Sequence, residues 1–545
     1  MDYLCRAGYE WLDYTVAGGR NMFRIAIITA IVSCAAGMIA PAMAESALDW
    51  LTYGFDRERT SYNPGERLLG PTTVAGLVLD WSFDAGAFDI AVNAQYTATE
   101  GRIGGESIVA TNVMIGGTLK NLVLVGDDNG MVYALDAQPP TASGSVVWYA
   151  PLGNQVLTKG TQTGQVGVRS TLLVDRTANG GLGAVYVPLL GVVHALDLTT
   201  GAELAGWPVS VLQPNAPPTE GSIHDAPNLL NGQLYIGTAS YGGDMPPYHG
   251  RVVSIDTATA TQTATWYTMS GNATLPTLSG GGVWGWGGVS IDDTAKVGGV
   301  YVATGNSKTG NGQVPYGENI VNLTPALSQV SAATPTFGAS PNGYDNDYGS
   351  TPTVFRTSAC KTTRMLVALN KTGQLVVDGV NPEGTLTVLQ DLQVSSGDNG
   401  NFHGTAAWDP VDQLILVSSE QAGPAPFGAG LLAFAAGTNC AQPLSLAWQT
   451  TTLANGSPLV PAGAAISSPT VANGVAYFAV GGTTSNVFAV ATASSGAVTA
   501  GQILWQSSTI DKCSAGVSLT VVDASVFFGC EGIGSTVNVF RLPAS

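Results

Sequence analysis

The sequence predicts an all-β fold: an eight-bladed β-propeller of four-stranded antiparallel blades, with the ring closed by an N-terminal strand. Three observations carry that prediction. Of 545 residues, 70 are Gly and 29 are Pro, with no triplet period, so they read as turn punctuation. Apolar stretches are short and alternate with period two, and helical periodicity is absent. One unit of about four such strands recurs along the chain, which is the signature of a propeller.

The repeat runs from an apolar strand ending near Ala-Leu-Asp, through a turn, to a Trp. It stands as Tyr133-Ala134-Leu135-Asp136 with Trp148, and as His194-Ala195-Leu196-Asp197 followed by Thr200-Gly201 and Trp207. Ser254-Ile255-Asp256 with Trp266 is the third copy. Looser copies are Asn322-Leu323-Thr324, Ala368-Leu369-Asn370, Ala433-Phe434-Ala435 with Trp448, Ala489-Val490-Ala491 with Trp505, and Val539-Phe540-Arg541. The last unit ends without its Trp strand. Leu77-Val78-Leu79-Asp80-Trp81 supplies that strand and closes the ring, which removes a sticky sheet edge. The repeated Trp residues are therefore expected as wedges between blades.

Composition excludes several classes. Hydrophobic residues make up 45% and mean hydropathy is +0.20, which rules out a disordered chain, and the Gly content rules out a coiled coil. Twenty Lys and Arg stand against 38 Asp and Glu, a net charge of −18. Such a surface repels phosphate backbones and anionic lipids, so nucleic acid is not an expected partner.

The first 44 residues read as a leader. Met22-Phe23-Arg24 precedes an apolar run from Ile25 to Ile39 and an Ala42-Met43-Ala44 site before Glu45. That is a secretory signal peptide with cleavage after Ala44, a start at Met22, and a periplasmic or secreted product with no membrane span in the mature chain. Ile31-Val32-Ser33-Cys34 also has a lipobox-like form, which leaves lipidation of Cys34 open. Residues 45–545 are read as one propeller domain. Four cysteines remain after cleavage: Cys360, Cys440, Cys513 and Cys530. Cys513 and Cys530 flank two apolar runs around an Asp523-Ala524 turn, so they are expected to pair; Cys360 and Cys440 then pair by default. No CxxCH, zinc-type Cys/His spacing, GxSxG elbow or P-loop occurs.

The ALD-x-x-TG-x(n)-W unit resembles the repeat of the pyrroloquinoline-quinone (PQQ) propellers, the quinoprotein alcohol dehydrogenase superfamily, over residues 48–545. The entry segment Asp49-Trp50-Leu51-Thr52-Tyr53-Gly54 with Tyr62-Asn63-Pro64 is similar to the start of mature members. The superfamily also includes non-catalytic scaffolds. Gly280-Gly281-Gly282-Val283-Trp284-Gly285-Trp286, leading to Ala303-Thr304-Gly305-Asn306, looks like the paired elements that place a Trp beneath PQQ and an Asn oxygen on the metal. The resemblance thus implies Trp284 as a stacking floor and Asn306 as a ligand of Ca²⁺ or a lanthanide. Asp244 stands where the family carries a metal-binding Glu. Tyr344-Asp345-Asn346-Asp347 falls where the family has its catalytic Asp, and Asp345 and Asp347 share that assignment. Lys371 matches a cation set against the quinone oxygens, and Arg169 a partner for a cofactor carboxylate.

The family's adjacent Cys-Cys pair has no counterpart; Gln165-Val166-Gly167-Val168 precedes Arg169 instead. His224-Asp225 and His403 are further polar groups that the repeat would bring to the same funnel. The resemblance implies oxidation of an alcohol, with electrons leaving to a separate cytochrome or soluble acceptor. The competing expectation is a non-catalytic propeller that binds protein or carbohydrate.

Overall fold

The repeat unit is a device for bracketing neighbouring sheets. In the computed structural model, Ala134 stands opposite Trp148 across paired strands, Ala433 opposite Trp448, and Ala489 opposite Trp505. Each indole reaches into the following unit. Trp148 Nε1 donates to Leu198 O at 3.0 Å, Trp448 Nε1 to Thr492 O at 3.0 Å, and Trp505 Nε1 to Leu77 O at 2.9 Å. The glycine of the repeat makes the room. Gly201 has φ +73°, and a Cβ there would lie 2.5 Å from Trp148 Cε3. Only Gly takes that backbone at no steric cost while letting a ring sit on it.

The structure describes residues 49–96, 102–159, 162–213, 221–240, 248–268, 280–306, 316–335, 346–360, 363–396, 404–482, 484–511, 513–514, 517–530 and 536–543. Seven sheets have four antiparallel strands, with inner strands Ile108–Ile115, Leu173–Asp175, Asn228–Leu230, Ser290–Ile291, Thr353–Phe355, Ala407–Asp409 and Thr520–Val522. The expectation of eight four-stranded blades is therefore corrected to seven. The unit containing Trp505 belongs instead to a seven-stranded mixed sheet. There Thr470–Ala472, Val475–Gly481, Thr484–Ala491 and Ile503–Gln506 are joined by Tyr62–Asn63, which pairs in parallel with Val471 and Ala472, and by the short strands Ala465–Ile466 and Ile510–Asp511. The physical reason is the entry segment, which lends an extra strand from far away in sequence; local apolar patterning cannot show such a partner.

The N-terminal strand Val78–Asp84 pairs antiparallel with Thr536–Arg541, and Trp81 stands opposite Val539. It leads directly into an unexpected helix, Ala85–Val92, capped by the Asp84 carboxylate, which accepts from Ala87 N at 2.8 Å. Two turns are too short to leave a periodic signature. Apolar residues of adjacent sheets interlock between them, as where Tyr235 and Val252 meet Val302 and Val321. Both disulfides form, Cys513–Cys530 with Cα atoms 5.3 Å apart and Cys360–Cys440 at 5.7 Å. No helix among the described residues is long and apolar enough to cross a membrane.

The entry segment threads the inside of the ring and touches the inner strands in turn. Trp50 pairs with Val109, Val174 N donates to Leu51 O, Ile291 N to Arg57 O, Val354 N to Glu58 O, Trp408 N to Thr60 O and Val471 N to Ser61 O, all within 2.9 Å. Strands this short expose unpaired inner edges, and this one segment satisfies them.

Candidate functional site

Antiparallel blades sort their connections by end. Each link from an outermost strand to the next inner strand emerges at one end of the ring, together with the turns between second and third strands. Trp284 precedes the inner strand Ser290–Ile291, and Asp347 precedes Thr353–Phe355. Asn306 follows the second strand Val300–Ala303, and Lys371 follows Arg364–Leu369. The topology thus delivers all four to one end.

Hydrogen bonds bring them together there. Gly305 N donates to Gly282 O at 2.8 Å and Gly281 N to Asn306 O at 2.6 Å, which laces the Gly-rich segment to the loop carrying Asn306. Asn306 N donates to Asp347 Oδ1 at 2.6 Å. Lys371 N donates to Asp347 O at 2.8 Å, and its Nζ lies 3.9 Å from Asp347 Oδ2. Gly305 is the hub. A Cβ on it would stand 2.1 Å from Asp347 Oδ1 and 2.5 Å from Trp284 Nε1. Trp284 is half-buried and its Nε1 has no hydrogen-bond partner among the described residues. His224 packs on its ring at 5.7 Å, tilted by 40°, and Tyr248 meets it edge-on at 6.0 Å. His224 is oriented through Nε2, 2.8 Å from Ser240 O.

Behind this cluster the axis holds buried ionisable groups. Asp225 accepts from Gly237 N at 2.8 Å, and burial holds its carboxyl well above the usual carboxylate range. Glu106 is pushed up to about 7, again by burial. The Arg59 guanidinium, lowered by burial to about 10, bonds neutral oxygens among the described residues: Thr52 Oγ1, Tyr53 O, Pro227 O and Val289 O. Tyr53 hydroxyl donates to Thr405 Oγ1 at 3.0 Å.

Of the residues that the sequence marks, the structure brings together Trp284, Asn306, Asp347 and Lys371. Arg169 is engaged by Asp128 in a bidentate pair, Nε to Oδ1 at 2.7 Å and Nη2 to Oδ2 at 3.1 Å. Asp244, Asp345 and His403 lie outside the described residues. Tyr248 and Gly305 carry no role in the sequence reading. The Tyr-His-Gly turn at 248–250 is a visible motif, but nothing in it announces a neighbour at Trp284.

The assembled residues suit a flat anionic ring system. Trp284 presents an aromatic surface with an orphaned Nε1, and Lys371 supplies a positive charge beside it. For a hard cation they offer an amide oxygen from Asn306 and a carboxylate from Asp347. Among the described residues, no group of three or more His, Cys, Asp or Glu side chains could hold a metal ion.

No family model and no curated protein sequence matches the chain. Solved structures do. A quinohemoprotein alcohol dehydrogenase from Comamonas testosteroni superposes with TM-score 0.59 at 15% identity, covering 93% of this chain and 83% of that one. A second from Pseudomonas putida HK5 gives 0.59 at 14%, covering 92% and 81%. A europium-containing methanol dehydrogenase gives 0.58 at 16%, covering 91% and 99%. The chain has the propeller fold of the quinoprotein dehydrogenases.

Proposed function

We propose that this chain is an exported oxidoreductase that oxidises an alcohol with PQQ and a Ca²⁺-type metal. The observation that carries the reading is the meeting of Trp284, Asn306, Asp347 and Lys371 around Gly305, four elements that the repeat scatters over almost a hundred residues. The fold of three alcohol and methanol dehydrogenases supports it. PQQ, when bound, supplies a two-electron acceptor. Trp284 would hold its plane, backed by His224 and Tyr248. Lys371 would face its oxygens, and Arg169 a carboxylate. Asn306, with Asp244, would hold the metal, Ca²⁺ or a lanthanide.

The acid–base work falls to Asp345 or Asp347. A carboxylate held in place by a backbone N–H, as Asp347 is by Asn306, is the kind of group that takes the proton of a substrate hydroxyl. Electrons would pass to a separate cytochrome or soluble acceptor. The absent Cys-Cys pair favours the second reading, a non-catalytic scaffold.

The test is titration of the exported protein with PQQ and Ca²⁺ or a lanthanide, followed by tryptophan fluorescence and by dye reduction with primary and secondary alcohols. Quenching should weaken in Trp284→Ala. Asp345→Asn combined with Asp347→Asn should bind PQQ yet lose roughly 100-fold or more in rate. Absence of PQQ binding with either metal rejects the oxidoreductase and leaves the scaffold.

A further inference from the structure

The opposite end of the ring has its own cavity. Turns between first and second strands, and between third and fourth, gather there. Together with residues 51–58 of the entry segment, turns 175–179, 231–232 and 257–258 enclose a cleft of about 1230 Å³. That exceeds the volume of most small-ligand pockets and has room for about two or three sugar rings.

Its wall combines apolar floor with hydrogen-bonding edges that the protein leaves unused. The floor includes Phe55, set edge-on to Trp50 at 5.2 Å, and the buried Leu173. On the rim, Arg57 donates through Nε to Leu229 O at 2.7 Å and through Nη1 to Asp293 Oδ2 at 3.4 Å, leaving Nη2 without a protein acceptor among the described residues. Asp175 commits Oδ1 to the N–H and hydroxyl of Thr177 and leaves Oδ2 open. Asn231, exposed at a φ of +50°, spends its amide on no described group. Arg176 binds Asp49 through Nε and Nη2 at 2.6 and 2.7 Å, and the lining carries more carboxylates (Asp49, Asp56, Glu58, Asp175 and Asp293) than guanidiniums (Arg57 and Arg176), which disfavours an anionic ligand.

We infer that this cleft is a second binding site, for a neutral oligosaccharide. Sugar rings carry an apolar C–H face and pairs of neighbouring hydroxyls. Phe55 matches the first; Nη2 of Arg57, Oδ2 of Asp175, the side-chain amide of Asn231 and Oδ1 of Asp293 match the second, together offering donors and acceptors to neighbouring hydroxyls. None of Trp284, Asn306, Asp347 or Lys371 lies in this cleft, so the inference stands apart from the oxidoreductase reading.

Saturation-transfer NMR with maltotriose, cellotriose and chitotriose tests it on the full chain. The wild type and Trp284→Ala should both transfer saturation to at least one trisaccharide. Asn231→Gly combined with Asp293→Ala changes two exposed groups, and Gly keeps the positive φ, so the fold should hold with an unchanged melting temperature. That variant should bind at least about fivefold more weakly, the effect of one lost hydrogen bond. Failure of all three trisaccharides to bind the wild type, or equal binding by the double variant, overturns the site.

Discussion

The Asn306 backbone N–H donates a hydrogen bond to Asp347 Oδ1 at 2.6 Å, and that bond ties a loop of one blade to the entrance of the next. It leaves no space for anything larger than Gly at position 305, where a Cβ would stand 2.1 Å from the same carboxylate oxygen.

Gly305→Ala is therefore expected to break the site without unfolding the ring. The methyl must displace Asp347 or Trp284, at a cost of about 1–3 kcal/mol for overpacking. Urea unfolding should register that loss, and the fluorescence of Trp284 should shift as its surroundings open. A variant with wild-type stability and emission would show that the contact is not tight in solution.

The disulfides should rank by the loop that each closes. Cys513 and Cys530 are 17 residues apart, Cys360 and Cys440 are 80 apart. Loop entropy gives about 3 kcal/mol for the first and about 4.5 kcal/mol for the second. Paired Cys→Ser variants, compared by urea unfolding, should follow that order. A larger loss from the 513–530 pair would mean that unfolded-chain entropy is not what these bridges act on.

Arg59 should behave as a clamp on the ring rather than as an ion-pair partner. Its guanidinium bonds four neutral oxygens from the entry segment and from two neighbouring inner-strand regions. Arg59→Met strips those bonds at once and leaves buried neutral oxygens without their donor, which is expected to cost on the order of 1–3 kcal/mol. Arg59→Lys keeps the charge but loses the fork, so it should recover only part. Equal stability of wild type and Arg59→Met would mean that the entry segment is held by its backbone bonds alone.

What the sequence made legible follows from what is local. The repeat could be read because Trp148, Trp448 and Trp505 each follow within a short stretch of chain the alanine that they face, and Gly201 sits where the ring needs space. Closure by Trp81 was visible for a different reason: Leu77-Val78-Leu79-Asp80-Trp81 is a Trp strand with no unit of its own, although its partner Val539 lies at the other end of the chain. The seven-stranded sheet was not, because Tyr62–Asn63 joins Val471 and Ala472 across some four hundred residues with only a two-residue strand. Trp284 and Asn306 stood out by resemblance, and the lacing through Gly305 explains why they meet. Tyr248 and the axial pair Glu106 and Arg59 were hidden, since lone polar residues in loops carry no period.

Asp378 gives the clearest pH dependence. It sits on strand Gln374–Val380, 1% exposed, with no hydrogen-bond partner on either carboxylate oxygen among the described residues. Val376, two residues back, stands opposite Asp391, so both carboxyls share one face of the sheet. Burial and then repulsion from Asp391 push Asp378 up to about 7; burial pushes Asp391 to about 6. The sign follows from linkage. Unfolded, Asp378 ionises near pH 4, so between about 4 and 7 the folded chain binds more protons, and stability falls as pH rises through that window. Above about 7 the full penalty is present, on the order of 4 kcal/mol from the buried group. Asp378→Asn keeps the shape and removes the ionisation. Its stability relative to wild type should be near zero or slightly negative at pH 4, climb through pH 6, and level off in its favour by pH 8. Urea unfolding at four or five pH values reads this difference directly, with the remaining titrating groups common to both proteins. A difference that stays flat with pH would mean that Asp378 finds a partner in solution, and that its carboxylate is not alone between the blades.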